Sequence, residues 1–180
     1  LGRFQDAVTL LEKVPNPERN FLQVRQLGEA YAALQKPDKL TALIKLIPTN
    51  IRDGVVLKYY LEALSAFLGK KYEKTRELLD SCPDFSDRPL FNYLQLESGV
   101  VLNLPPAGLI GNARKLISSG ENNAQQRVTA LLLPLFQRYY DSKRYSDGIA
   151  LGNYLFSLEE KNPAVEDLLL FCYLREGKLE

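Results

Sequence analysis

Apolar residues recur along the chain at helical spacing, and the clearest instance is the stretch from Leu57 to Pro83. Tyr59, Ala63, Ala66 and Phe67 fall at i, i+4, i+7 and i+8, one face of a helix. Gly69 follows, a residue that can leave a helix at positive φ at little cost. A second helix then opens near Tyr72, places Tyr72, Thr75, Leu78 and Leu79 on its inner side, and is stopped by Pro83. Neither helix can bury its apolar face alone, so this hairpin requires neighbours.

The same pattern predicts those neighbours. A helix is expected from Phe4 to Val14, ended by Pro15-Asn16-Pro17, then a pair over about Asn20–Leu34 and Asp38–Ile47, with Pro37 suited to a first turn. Asp53 is read as the cap of the helix carrying Tyr59. Asp87 is read as the cap of a helix from Pro89 to about Leu102, and the Pro105-Pro106 turn leads into Leu109–Ser118. The last pair covers about Ala124–Asp141, where Pro134 should kink or break the helix, and Tyr145–Glu159. Asn162-Pro163 opens a final helix that runs to about Glu176. No sustained alternation and no Asn-Gly turn argue for strands, and the prediction is all-α.

The first residues of the second helices are Phe4, Lys39, Tyr72, about Leu109, Tyr145 and Leu179, separated by 33 to 37 residues. A helix-turn-helix unit with this period marks a helical repeat. On Gly2-Arg3-Phe4-Gln5-Asp6-Ala7, Leu27-Gly28-x-x-Tyr31 and Leu169-Leu170-x-x-Tyr173 with Gly177, the chain resembles the tetratricopeptide repeat family over essentially its whole length. That resemblance implies a right-handed superhelical array of about five antiparallel helix hairpins, residues 1–180 forming one such domain. The chain opens on Leu1, at what reads as the end of a hairpin, and closes at Glu180, where a second helix should begin. It is therefore expected to be a piece of a longer protein.

Composition narrows the chemistry. With no histidine, the commonest general base and metal ligand are missing, and Ser or Thr has no imidazole to activate it. Cys82 and Cys172 stand far apart and match no metal spacing, so both are read as small buried hydrophobes, with no disulfide and no metal site. Gly108-Leu109-Ile110-Gly111 lacks the Lys that a phosphate loop needs. No cofactor and no catalytic residue are expected. No apolar run approaches the 18 residues of a membrane span. Two unpaired cysteines fit a reducing compartment, and the cytoplasm is the expected location.

A net charge of +1 argues against a surface that tracks nucleic-acid phosphates. Between Lys36 and Arg76, however, nine basic residues face four acids, a local excess of +5. That excess reads either as solvated helix faces and turns or as a patch for an acidic peptide or a phosphate backbone. The remaining expectation is a protein-interaction scaffold, the alternative a regulatory or substrate-recruiting arm of an enzyme whose catalytic domain lies elsewhere. An RNA-binding helical repeat is the third and least favoured reading.

The resemblance places the binding groove on the first helices. It implies Leu22, Arg25, Glu29 and Ala32, then Leu57, Tyr60, Leu64 and Phe67, then Leu133, Gln137 and Tyr140, and last Asp167, Phe171 and Leu174. Tyr60, Phe67 and Tyr140 would be aromatic anchors for a protein or peptide; the competing reading is that they pack between repeats. Glu29 and Leu64 stand where the Asn residues of a carboxylate-clamping groove would be, so that mode is not expected. Apolar end faces are also expected to permit self-association.

Overall fold

In a computed structural model, the described residues are 2–82, 89–120, 122–159 and 162–177. Among them are ten α-helices and no strand, so the chain is all-α. The expected stop at Pro83, the Asp87 cap and the repeat position Leu179 lie outside the described residues. The chain divides into two compact units, Leu1–Ser86 and Asp87–Glu180.

The first unit holds α1 (Gly2–Leu11), α2 (Phe21–Ala33), α3 (Pro37–Lys45), α4 (Arg52–Leu68) and α5 (Tyr72–Asp80), with a short 3-10 turn at Asn16–Glu18. α2 begins with a reciprocal cap. The Asn20 side chain accepts from the Gln23 amide at 2.9 Å while Gln23 accepts from the Asn20 amide at 3.0 Å, and such a cap contributes about 1 kcal/mol. α2 packs on α1, α3 and α4. It approaches α4 closely because position 28 is glycine: a Cβ there would lie 2.6 Å from Leu61 Cδ2. Asp53 does not cap α4. Ile51 holds that position without a side-chain bond, and Asp53 lies inside the first turn, where its charge suits the helix dipole.

The second unit holds α6 (Pro89–Val101), α7 (Pro106–Ser118), α8 (Ala124–Asp141), α9 (Tyr145–Leu158) and α10 (Pro163–Glu176). Its core joins Leu96, Leu109, Leu116, Leu132, Phe136, Tyr139, Leu151, Val165 and Cys172. α9 presses on its neighbours through small residues: a Cβ on Gly152 would meet Phe136 Cζ at 2.5 Å and Leu169 Cδ1 at 2.8 Å, and one on Gly148 would meet Cys172 Sγ at 2.9 Å. Pro134 does not break α8, which continues to Asp141. Ala130 and Pro134 both lie on the exposed side, where water can take the carbonyl that Pro134 leaves unbonded.

One turn recurs in both units. Gln35, Lys70, Asn103 and Lys143 adopt φ of 52, 57, 55 and 60°. The next amide bonds back to the carbonyl five residues earlier: Lys36 to Tyr31, Lys71 to Ala66, Leu104 to Gly99 and Arg144 to Tyr139, at 2.8 to 3.0 Å. This closure satisfies carbonyls that the helix end would otherwise strand. The positive φ therefore falls on Lys70 and not on Gly69, whose φ is −75°. The turn also corrects the repeat position in α3. Pro37, not Lys39, corresponds to Tyr72 and Tyr145, each two residues after the left-handed residue. Leu40, Thr75 and Gly148 then fall at one equivalent position, and all three are buried. Before α7 the Pro105-Pro106 pair inserts one residue, delaying the helix start to Pro106.

Candidate functional site

The residues expected in the groove fall in both units. In the first, Arg25 and Glu29 lie one turn apart on α2, with Arg25 Nε 3.6 Å from Glu29 Oε1. The same oxygen accepts a 3.0 Å hydrogen bond from the Tyr60 hydroxyl on α4. Tyr60 is buried, and that burial, followed by the Glu29 carboxylate, pushes its pKa up. Its ring thus packs between α2 and α4, and the neighbouring Tyr59 is the half-buried tyrosine. The deep face of α4 is Val56, Leu57, Tyr60, Leu61 and Ala63. Leu64 and Phe67 are half-buried, Phe67 meeting Tyr72 edge-on with centroids 5.4 Å apart. Ala32 and Leu57 are buried, whereas Leu22 is 52% exposed.

Arg25 keeps an unused donor on this surface. Arg25 Nε is buried without a hydrogen-bond partner among the described residues. Glu29 also borders a cleft lined by Phe4, Ala7, Leu10 and Leu11 of α1. A second apolar cleft, lined by Phe21, Val24, Leu43, Leu46, Ile47 and Pro48, lies between the start of α2 and the end of α3. Either has the shape for an apolar side chain with a polar group beside it.

In the second unit the structure brings Tyr140 and Phe171 together. Their centroids are 6.3 Å apart, and Tyr140 also lies 5.8 Å from Tyr145. Tyr140 is half-buried while Phe171 remains 50% exposed. Gln137 is exposed and donates to Asp141 Oδ1 at 2.9 Å, one turn further along α8. Leu170 and Leu174 extend the apolar surface of α10. Leu170 was not among the expected residues, although the run Leu168-Leu169-Leu170-Phe171 is more apolar than a single buried face requires.

The basic segment is partly consumed by structure. Lys39 Nζ lies 2.7 Å from Glu12 Oε1, and Lys74 Nζ lies 3.0 Å from Glu77 Oε2. Glu12 also accepts from the Tyr31 hydroxyl at 2.9 Å. The Lys39 bond, then the Tyr31 bond, holds the Glu12 carboxyl below its ordinary value, while burial and Glu12 push Tyr31 up to about 12. Arg52 and Arg76 are engaged as well.

Both cysteines are buried and outside any disulfide, and burial pushes the Cys172 thiol up, away from the thiolate that a nucleophile needs. Among the described residues no group of three or more His, Cys, Asp or Glu side chains is placed to hold a metal ion. No described helix is long and apolar enough to cross a membrane. Compared with models of protein families, with curated proteins and with solved structures, the chain shows no match.

Proposed function

We propose that this chain is a non-catalytic protein-interaction scaffold that takes a peptide or a partner helix on the outward faces of its first helices. In this reading the hairpins are tetratricopeptide-like repeats stacked in a right-handed superhelical array, working in a reducing compartment such as the cytoplasm. The recurrent left-handed turn at Gln35, Lys70, Asn103 and Lys143 supports a repeat built from one kind of hairpin. The observation that carries the function is the placement of large apolar side chains in water on α2 and α10: Leu22, Leu170, Phe171 and Leu174 are each about half exposed. On α10 the three are neighbours along one helix, and contiguous apolar surface of this kind marks interaction sites.

The test begins with capture of bound proteins, their identification, and titration of the purified partner by calorimetry. Leu22→Ser or Phe171→Ser is expected to weaken that partner at least tenfold, about 1.4 kcal/mol, with unchanged helical content. Binding that ignores both variants, or that is of RNA alone and vanishes with salt, would overturn the proposal.

A further inference from the structure

α10 is apolar on more than the side it buries. Val165, Leu168 and Cys172 are buried, and the helix packs on α9 and α8. Leu170, Phe171 and Leu174 point away from that core, with 49, 50 and 55% of their surface exposed. Charge brackets this outward face symmetrically. Asp167 stands four residues before Phe171 and Arg175 four residues after it, and all three are exposed. At 100° per residue, Asp167 and Arg175 diverge from the Phe171 direction by about 40° to either side. Among the described residues, neither Asp167 nor Arg175 has an ion-pair partner.

We propose that this face is a twofold interface with a second copy of the chain. Two α10 helices lie antiparallel about Phe171, stacking Phe171 on its counterpart and burying Leu170 and Leu174. Asp167 of each copy meets Arg175 of the other, so the pair forms twice. A twofold interface requires a self-complementary patch, which an acid and a base equidistant from an apolar centre provide. A parallel arrangement would set like charges side by side. The interface rests on the reading of outward apolar faces as docking faces, but it names a different occupant. One helix of 14 residues spans about 21 Å, less than a standard interface needs, so the dimer is weak and concentration-dependent.

Sedimentation equilibrium from about 1 µM to about 1 mM tests this on the whole chain. A monomer–dimer equilibrium is expected, and Phe171→Ser with Leu174→Ser should raise its Kd at least tenfold. Asp167→Arg alone or Arg175→Asp alone should do the same, and the two together in one chain should restore the dimer. The exchanged pair opposes the helix dipole, so a merely structural role would lower monomer stability and restore nothing. Under oxidation Phe171→Cys should yield a cross-linked dimer, while the native chain, whose cysteines are both buried, should not. A monomer across the whole range, or a dimer indifferent to these variants, overturns the interface. Loss of a purified partner by Leu22→Ser in a chain that stays monomeric would sink this interface and leave the scaffold standing.

Discussion

The two units share one turn and differ in how their helices are tied. In the first unit Tyr31 of α2 and Lys39 of α3 both donate to the Glu12 carboxylate just after α1. Tyr60 of α4 donates to Glu29 of α2, beside the steric approach of Gly28 to Leu61. In the second, side chains of α8 and of the turn after it reach backbone carbonyls near the end of α6, Arg138 to Val100 at 2.7 Å and Arg144 to Asn103 at 2.9 Å, beside a steric tie. Phe136 fills the space that a side chain on Gly152 would take, and Tyr139 is fully buried beside it, its hydroxyl donating to the Leu104 carbonyl. Both units reuse the same backbone closure at the end of a first helix. The comparison teaches that one backbone turn can join helices whose polar ties end on carboxylates in one unit and on backbone carbonyls in the other.

Cutting the steric tie gives the largest effect expected. Phe136→Ala should destabilise the second unit by about 3–5 kcal/mol, as removal of a fully buried ring does, and should leave amide exchange in the first unit unchanged. Gly152→Ala, harmful alone because its Cβ meets Phe136 Cζ at 2.5 Å and Leu169 Cδ1 at 2.8 Å, should cost less in that background, where only the flexible end of Leu169 remains to shift. Additive urea-unfolding energies for this pair would show that the ring does not fill the glycine's space.

Two tyrosines sharpen the comparison at a smaller scale. Tyr60→Phe removes a hydroxyl that bonds Glu29 and should cost about 1 kcal/mol. Tyr154 in the second unit is also buried, but its hydroxyl has no hydrogen-bond partner among the described residues. Tyr154→Phe should therefore be neutral or stabilising. Equal losses in chemical denaturation would show that the bond to Glu29 adds nothing to Tyr60.

The smallest effect concerns what the units share. Lys70 and Lys143 pay a left-handed backbone on a side chain with a Cβ. Lys70→Gly and Lys143→Gly should each raise stability by about 0.5–1 kcal/mol, the relief of strain offset by the looser unfolded chain. Similar gains in both units would confirm that the turn is one device, and a loss in either would separate them.

These positions also show what the sequence makes legible. Helix existence was readable because proline stands at the start of α3, α6, α7 and α10, and because apolar spacing is strong. The left-handed position was not, because glycine draws attention to Gly69 whereas backbone closure places the strain on Lys70. The repeat position in α3 slipped to Lys39 because Pro37, the equivalent of Tyr72, has no aromatic ring to mark it. On α4 the inner face was read one residue away, through Tyr59, because Tyr59 and Tyr60 are equally hydrophobic and only the Glu29 carboxylate distinguishes them. Arg25 and Glu29 were reached only through the family resemblance, and the hydroxyl that joins Glu29 to α4 was not legible. Tyr140 and Phe171, which the resemblance assigns to the groove, have ring centroids 6.3 Å apart, a pairing across α8 and α10 that the spacing within either helix does not specify.

The placement of the two cysteines has a practical consequence. Cys82 belongs to the first unit and Cys172 to the second, and both are buried and outside any disulfide. A thiol reagent can reach either sulfur only when its surroundings open. Cys172 is moreover packed where a side chain on Gly148 would stand. The native chain therefore carries one built-in clock per unit, and their labelling rates under native conditions would time the opening of each unit without an added probe.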